Sequence, residues 1–333
     1  MSKSAYFCYF AGMSDEFYMQ RCFQLAIQGV SYAMPNPLVG AVIVHNDRII
    51  GEGYHRKYGF AHAEVNAVAA VKDPSLLTAS TIYVSLEPCA HFGKTPPCAD
   101  LIIQSGIPKV VISCTDTFSQ VAGKGIERLK AAGVEVVTGV LEQEGRQLNR
   151  RFFTFHEKKR PYVVLKWART TDGYLDMDRS AGETGVKWIT DRYSRQLVHA
   201  WRSEEAGILV GKNTWVTDSP GLDVRLIAGK NPEKFVLTSS GDAEFPGDVT
   251  ALKGSIPEVL EQCYRKGIQS IFVEGGAATL QSFIDSGLWD EARVLTGRTT
   301  FGSGTPAPLL TGFDSEQIGL PGGDLLHNSF NRA

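Results

Sequence analysis

No apolar run in this 333-residue chain approaches the roughly 20 residues that a membrane-spanning helix needs, which argues against a helical membrane protein. Neither sign of charge dominates: 34 Lys and Arg stand against 36 Asp and Glu, so no general attraction to nucleic acid or to an anionic membrane follows. Cysteine is scarce. The six thiols, Cys8, Cys22, Cys89, Cys98, Cys114 and Cys263, are spread along the whole length, which excludes a disulfide framework and fits a reducing, cytoplasmic setting. The N-terminus carries a single Lys ahead of a short apolar stretch broken by Cys8 and Tyr9, too little for a secretory signal; residues 1–13 read as an extension. What remains is the composition of a soluble globular protein, 43% hydrophobic and 21% charged, in a chain long enough for two domains.

One stretch stands out against this ordinary background. His62-Ala63-Glu64 opens an apolar helical run, and a β-rich segment then leads into Glu87-Pro88-Cys89 and, after eight intervening residues, Cys98. One imidazole and two thiolates are donors that zinc accepts, and three protein ligands leave a position for a water whose pKa falls to about 7. Glu64, two residues beyond the proposed ligand His62, can share the site without binding the metal and move protons from the attacking water to a leaving amine. The order His-x-Glu, then Pro-Cys, then Cys matches the pattern of zinc nucleobase deaminases, with a longer second spacing. That longer loop contains His91 and Lys94, candidates to contact substrate. A closed structural zinc site with His91 as fourth ligand is the competing reading, but it gives Glu64 no role.

Around this stretch, helices and strands alternate. Ser14 with Asp15 and Glu16 starts a helix that Gly29 ends; strands follow at Val39 to Val44, Ser80 to Leu86, Lys109 to Ser113 and Val134 to Val137, with helices after Cys98 and Lys124. A sheet between helix layers is expected, with His62 and both cysteines at helix starts. Pro35-Asn36-Pro37 forces an extended loop that sets Asn36 at a strand mouth, where its amide offers a pyrimidine edge one donor and one acceptor.

His62-Ala63-Glu64-Val65-Asn66-Ala67, Leu86-Glu87-Pro88-Cys89, Gly93-Lys94-Thr95-Pro96-Pro97-Cys98 and Pro35-Asn36-Pro37-Leu38-Val39-Gly40 together resemble the deaminase half of the bifunctional riboflavin-biosynthesis deaminase/reductases. The resemblance implies a cytidine-deaminase-like three-layer α/β/α domain over residues 14–148. It implies one Zn2+ per chain on His62, Cys89 and Cys98, proton transfer by Glu64, and a phosphorylated pyrimidine substrate held by Asn36, His55, His91 and Lys94. His55 and Lys94 would meet its phosphate.

Residues 149–160, basic, aromatic and closed by Pro161, read as a linker. Beyond it, strands at Pro161 to Ala168, Gly207 to Gly211 and Ser270 to Val273 alternate with helices at Asp191 to Trp201 and Ile256 to Lys266. The glycines of Glu274-Gly275-Gly276 mark a strand-to-helix turn where backbone N–H groups can approach an anion. Lys166-Trp167-Ala168, Lys187-Trp188-Ile189-Thr190, Trp201-Arg202, Asp218-Ser219-Pro220 and Val273-Glu274-Gly275-Gly276 resemble the reductase half of the same family. That resemblance implies a dihydrofolate-reductase-like α/β domain over 161–333 that uses NADPH. Cofactor contacts would come from Ala168, Trp188, Thr214, Asp218, Gly276, Ala277, Ala278 and Thr279, and substrate contacts from Val186, Arg202, Leu222, Arg225 and Glu274. A homo-oligomer is expected from the family. The rival readings are a deaminase of a nucleotide or tRNA with a non-catalytic C-terminal binding domain, against which the balanced charge speaks, and a zinc-stabilised scaffold.

Overall fold

The computed structural model describes residues 13–92, 96–118, 122–178, 187–239 and 245–331. The chain divides into two compact units, residues 1–150 and 151–333. Among the described residues no helix is long and apolar enough to cross a membrane.

The first unit runs α1 (Asp15–Ala26), β1 (Gly40–His45), β2 (Arg48–Tyr54), α2 (Ala63–Ala69), β3 (Thr81–Leu86), α3 (Cys98–Gln104), β4 (Lys109–Cys114), α4 (Lys124–Ala131), β5 (Glu135–Thr138) and α5 (Glu142–Leu148). Its sheet has the order β2-β1-β3-β4-β5; β1 is antiparallel to both neighbours, and β3, β4 and β5 are parallel. Successive strand residues point to opposite faces, and here both faces are apolar. Ala41, Ile43, Ile82, Val84, Val110 and Ile112 pack under Ala63 and Ala67 of α2, Ala99 and Ile102 of α3 and Leu129 of α4. The alternate residues Val42, Val44, Tyr83 and Val111 meet Tyr18, Met19, Cys22 and Leu25 of α1. This is the three-layer sandwich that the alternation of elements implied.

The second unit begins within α6 (Arg150–Lys158), so most of the stretch read as a linker is helical and buries Phe152 and Phe153. There follow β6 (Tyr162–Arg169), β7 (Tyr174–Met177), α7 (Arg192–Ser203), β8 (Gly207–Gly211), α8 (Lys212–Asp218), β9 (Glu233–Leu237), β10 (Val249–Leu252) and α9 (Ile256–Arg265). The chain ends with β11 (Ser270–Val273), α10 (Ala277–Ser286), β12 (Glu291–Thr296), β13 (Gly304–Pro306), β14 (Ser315–Gly319) and β15 (Leu325–Phe330). Eight strands form one sheet, β10-β9-β8-β11-β6-β12-β15-β14, parallel from β10 to β12 and closed by the antiparallel pair β15 and β14; β7 and β13 pair separately. Val163, Leu165, Leu209, Ile271 and Val273 face Val259 and Leu260 of α9 and Leu280 and Phe283 of α10. Tyr162, Val164, Ile208, Val210 and Phe272 face Val198 and Trp201 of α7. The central strands are thus buried on both faces, as a parallel sheet requires.

Candidate active sites

In the first unit, His62, Cys89 and Cys98 converge from three places: the N-cap of α2, the loop after β3 and the first residue of α3. Their ligand atoms all lie within 4.8 Å of one another. His62 Nδ1 is the ring nitrogen turned inward, 3.6 Å from Cys89 Sγ and 3.3 Å from Cys98 Sγ. The expectation that all three sit at helix starts needs one correction. Cys89 lies in irregular backbone, and its sulfur is held instead by the Cys98 N–H at 3.4 Å. A hydrogen bond from Cys98, reinforced by His62, draws the Cys89 thiol well down, and the same bond together with burial pushes Cys98 up. Two sulfurs and an imidazole that share protons in this way are a soft donor set for a divalent metal.

Glu64, in the first turn of α2, is 3% exposed, and burial followed by the charge of Cys89 pushes its carboxyl up to about 7. It stands beside the three donors without being one of them. Behind His62 lies His55, with the ring centroids 5.3 Å apart and the planes at 87°. His55 is buried, its Nδ1 is 3.1 Å from the Ala61 carbonyl, and its Nε2 is 3.1 Å from Asn36 Nδ2. A neutral ring protonated at Nδ1 satisfies both contacts, and burial holds its pKa down accordingly. His55 is thus placed to order Asn36 through Nε2; the resemblance gave it a contact to the substrate phosphate. His91 is half-buried, and its Nδ1 has no hydrogen-bond partner among the described residues. Lys94 lies outside the described residues.

In the second unit, a cavity of about 1010 Å³ opens at the C-terminal ends of β6, β8, β9 and β11. Ala168, Trp188, Thr214, Asp218, Gly276, Ala277, Ala278 and Thr279 all line it, together with Arg202, Leu222, Arg225 and Glu274; Val186 lies outside the described residues. Arg202 grips Glu274 with a forked pair, Nε to Oε1 at 2.7 Å and Nη2 to Oε2 at 2.9 Å, and its Nη1 donates to the Asp223 carbonyl at 2.9 Å. Lys166 Nζ approaches Glu274 at 3.7 Å. Burial alone would raise Glu274, but Lys166 and Arg202 outweigh it and hold the carboxyl at about 2. Burial lowers Lys166 despite its carboxylate partner. Arg225 is half-exposed and pairs with Asp223 of its own loop. Trp188 is 55% exposed, with the Arg195 guanidinium 4.5 Å from its ring centroid.

The glycine turn differs in detail from the anion cradle that the sequence suggested. The Gly276 N–H already donates to Thr214 Oγ1 at 2.9 Å, and a Cβ on Gly275 would stand 2.8 Å from the Gly211 nitrogen. Close packing of β11 against β8 therefore accounts for Gly275. Two further residues had no role in the sequence reading. Lys166 was visible as a lone cation inside the apolar run Val163-Val164-Leu165-Lys166-Trp167, the sign of a buried charge with a partner. Ser239, in the cavity wall beyond β9, had no such signal.

A three-layer deaminase-like unit with a His/Cys/Cys cluster, followed by a mostly parallel sheet carrying a large cavity at its strand ends, defines a zinc deaminase joined to a reductase. Residues 13–114 match the cytidine and deoxycytidylate deaminase zinc-binding region, and residues 161–321 match the RibD C-terminal domain. The chain is 38% identical to the riboflavin biosynthesis protein RibD of Aquifex aeolicus, across 87% of this chain and 88% of that one. It is 40% identical to RibD of Bacillus amyloliquefaciens, across 89% and 87%. The crystal structure of a diaminohydroxyphosphoribosylaminopyrimidine deaminase/5-amino-6-(5-phosphoribosylamino)uracil reductase from Thermotoga maritima superposes with a TM-score of 0.85 at 34% identity, covering 95% of this chain and 98% of the other. The chain belongs to the RibD family, the bifunctional deaminase/reductases of riboflavin biosynthesis. Its deaminase half is a zinc enzyme and its reductase half depends on NADPH.

Proposed function

We propose that the first unit removes the 2-amino group of 2,5-diamino-6-(5-phosphoribosylamino)pyrimidin-4-one, and that the second reduces the ribosyl group of the resulting aminouracil phosphate to ribityl. The observation that carries this reading is the grouping of His62 Nδ1, Cys89 Sγ and Cys98 Sγ within 4.8 Å, with the buried carboxyl of Glu64 beside them. These three side chains would hold zinc, which supplies the Lewis acidity that makes water nucleophilic near neutral pH. Glu64, buried beside the three donors, takes a proton from the attacking water and delivers it to the departing amine. Asn36, fixed by His55, reads the pyrimidine edge through its amide. His91 and Lys94 complete the substrate contacts.

In the second unit NADPH supplies the hydride. Ala168, Trp188, Thr214, Asp218 and the start of α10 form the wall that holds the cofactor, and Glu274, Leu222 and Arg225 line the same cavity for the substrate. Arg202, with its fork spent on Glu274, fixes that carboxylate in place, whereas Arg225 has a half-exposed guanidinium to offer the phosphate. Cys22, Cys114 and Cys263, outside the metal cluster, are buried thiols not joined in disulfides, which suits a cytoplasmic setting. The partners are small phosphorylated pyrimidines, without nucleic acid, and the protein works as a homo-oligomer.

The test follows metal content, ammonia release and NADPH absorbance in one preparation. Stoichiometric zinc, chelator-sensitive ammonia from the diamino substrate and NADPH oxidation with the deaminated product are expected. Ammonia without oxidation would leave the chain a deaminase only.

A further inference from the structure

Glu87 is two residues from Cys89 and 4% exposed, yet its carboxylate does not turn toward the metal donors. It is used up on backbone N–H groups. Oε1 accepts from Gly125 at 2.9 Å and Ile126 at 3.3 Å, and Oε2 accepts from Gly123 at 3.0 Å and Asp116 at 3.2 Å. Three of these donors belong to the start of α4, so the carboxylate ties the loop that carries Cys89 to that helix. The backbones touch as well, since a Cβ on Gly125 would stand 1.9 Å from the Pro88 carbonyl oxygen. One turn further along, Arg128 donates from Nη1 to the Ala90 carbonyl at 3.2 Å and pairs through Nε with Asp100 in the first turn of α3 at 2.6 Å. α4 therefore grips both segments that supply sulfur, the Cys89 loop through Glu87 and Arg128, and the Cys98 helix through Arg128.

We propose that Glu87 is a positioning residue that sets Cys89 against His62 and Cys98 by clasping the N-terminus of α4. The inference rests on the reading of these three residues as the zinc ligands. The four partners of the side chain among the described residues are all donors, so a group with two acceptor oxygens fits. The amide of Gln has the same shape but turns an NH2 toward two N–H groups, and that edge of the clasp opens. Ligand-orienting contacts of this kind typically contribute roughly 10–100-fold to metal affinity.

The experiment compares full-length wild type, Glu87→Gln and Glu87→Asp by zinc competition against a chromophoric chelator. It adds the thiolate-to-metal absorption of the Co2+-substituted proteins, with NADPH oxidation on the deaminated substrate as the control for an intact chain. Glu87→Gln is expected to bind zinc roughly 10–100-fold more weakly and to show altered Co2+ absorption, with reductase turnover unchanged. Glu87→Asp, which keeps both oxygens on a shorter arm, should fall between the two and carries the test if Gln unfolds the first unit. Unchanged zinc affinity and Co2+ absorption in a variant with lowered thermal stability would make Glu87 merely structural and overturn the proposal. Wild type lacking zinc would overturn the metal-site reading along with it.

Discussion

Asn149 pairs with Leu38 through both ends of its amide: Oδ1 accepts the Leu38 N–H at 2.8 Å, and Nδ2 donates to the Leu38 carbonyl at 2.9 Å. The side chain is 3% exposed and imitates a strand partner for the loop that holds Asn36, two residues earlier. Asn149→Asp would set an oxygen against the Leu38 carbonyl and leave that acceptor without a donor. A loss of about 1–3 kcal/mol is expected, since an unsatisfied buried polar group costs that much. Deaminase kcat/KM should fall while NADPH oxidation holds. Thermal unfolding and the two assays check this; an unshifted transition with full deaminase activity would mean that the loop is held by other contacts.

Glu64→Gln replaces the carboxyl proposed to carry the proton by an amide that cannot titrate and leaves the three clustered donors in place. Ammonia release should fall by roughly 10²–10⁴-fold, the usual worth of a positioned acid-base group. Zinc stoichiometry and NADPH oxidation of the deaminated substrate should stay at wild-type levels. Turnover that survives in a fully zinc-loaded variant would take Glu64 out of the proton path.

Arg225 and Arg202 line the same cavity but are committed differently, the first half-exposed and the second locked to Glu274. Arg225→Ala should raise KM for the phosphorylated reductase substrate by about 10–100-fold, the equivalent of a charge-assisted hydrogen bond of about 1.5–3 kcal/mol, with KM for NADPH unchanged. Arg202→Ala should lower kcat as well, because it frees the carboxylate it holds. Initial rates of NADPH oxidation separate the two patterns. Equal KM effects for cofactor and substrate in Arg225→Ala would argue against a phosphate contact.

The metal cluster was legible because chemistry of that kind needs particular residue types in a fixed order, and His62, Glu64, Cys89 and Cys98 stand out against a chain poor in cysteine. Some strands buried on both faces were legible as continuous apolar runs, as at Val163 to Leu165 and Ile271 to Val273. β9 and β12, buried likewise but interrupted by charged residues such as Lys234 and Arg293, were not. The elements without that signal were missed. β14 is exposed at every position, α8 buries none of its residues, and α5 buries only Gly145, so hydrophobic periodicity had nothing to act on. The contacts of Glu87 and Asn149 were invisible for another reason: their partners are backbone atoms far along the chain, at up to 39 and 111 residues' separation, and backbone has no residue type to read.

The carboxyl of Glu274 gives the second unit a defined response to acid. Lys166 and Arg202 hold it at about 2, below its ordinary 4.5, against the opposing effect of burial. A group whose pKa falls on folding stabilises the folded state fully above the unfolded value and loses that contribution as pH drops through the folded value. The contribution is therefore complete above about pH 4.5 and disappears toward pH 2, with an amplitude on the order of 3 kcal/mol. Glu274→Gln removes it at every pH and also leaves two buried cations without their anion, so the variant should be markedly less stable at neutral pH. Other carboxylates titrate in both proteins, and their effects cancel in the difference. The stability gap between wild type and Glu274→Gln, measured by urea unfolding of the second unit's transition, should be widest near pH 7, constant down to about pH 4.5, and then narrow by about 1.4 kcal/mol per pH unit at the steepest. A gap that stays constant through pH 3 would mean that the cations do not hold this carboxyl ionised, and that Arg202 is free to meet the substrate directly.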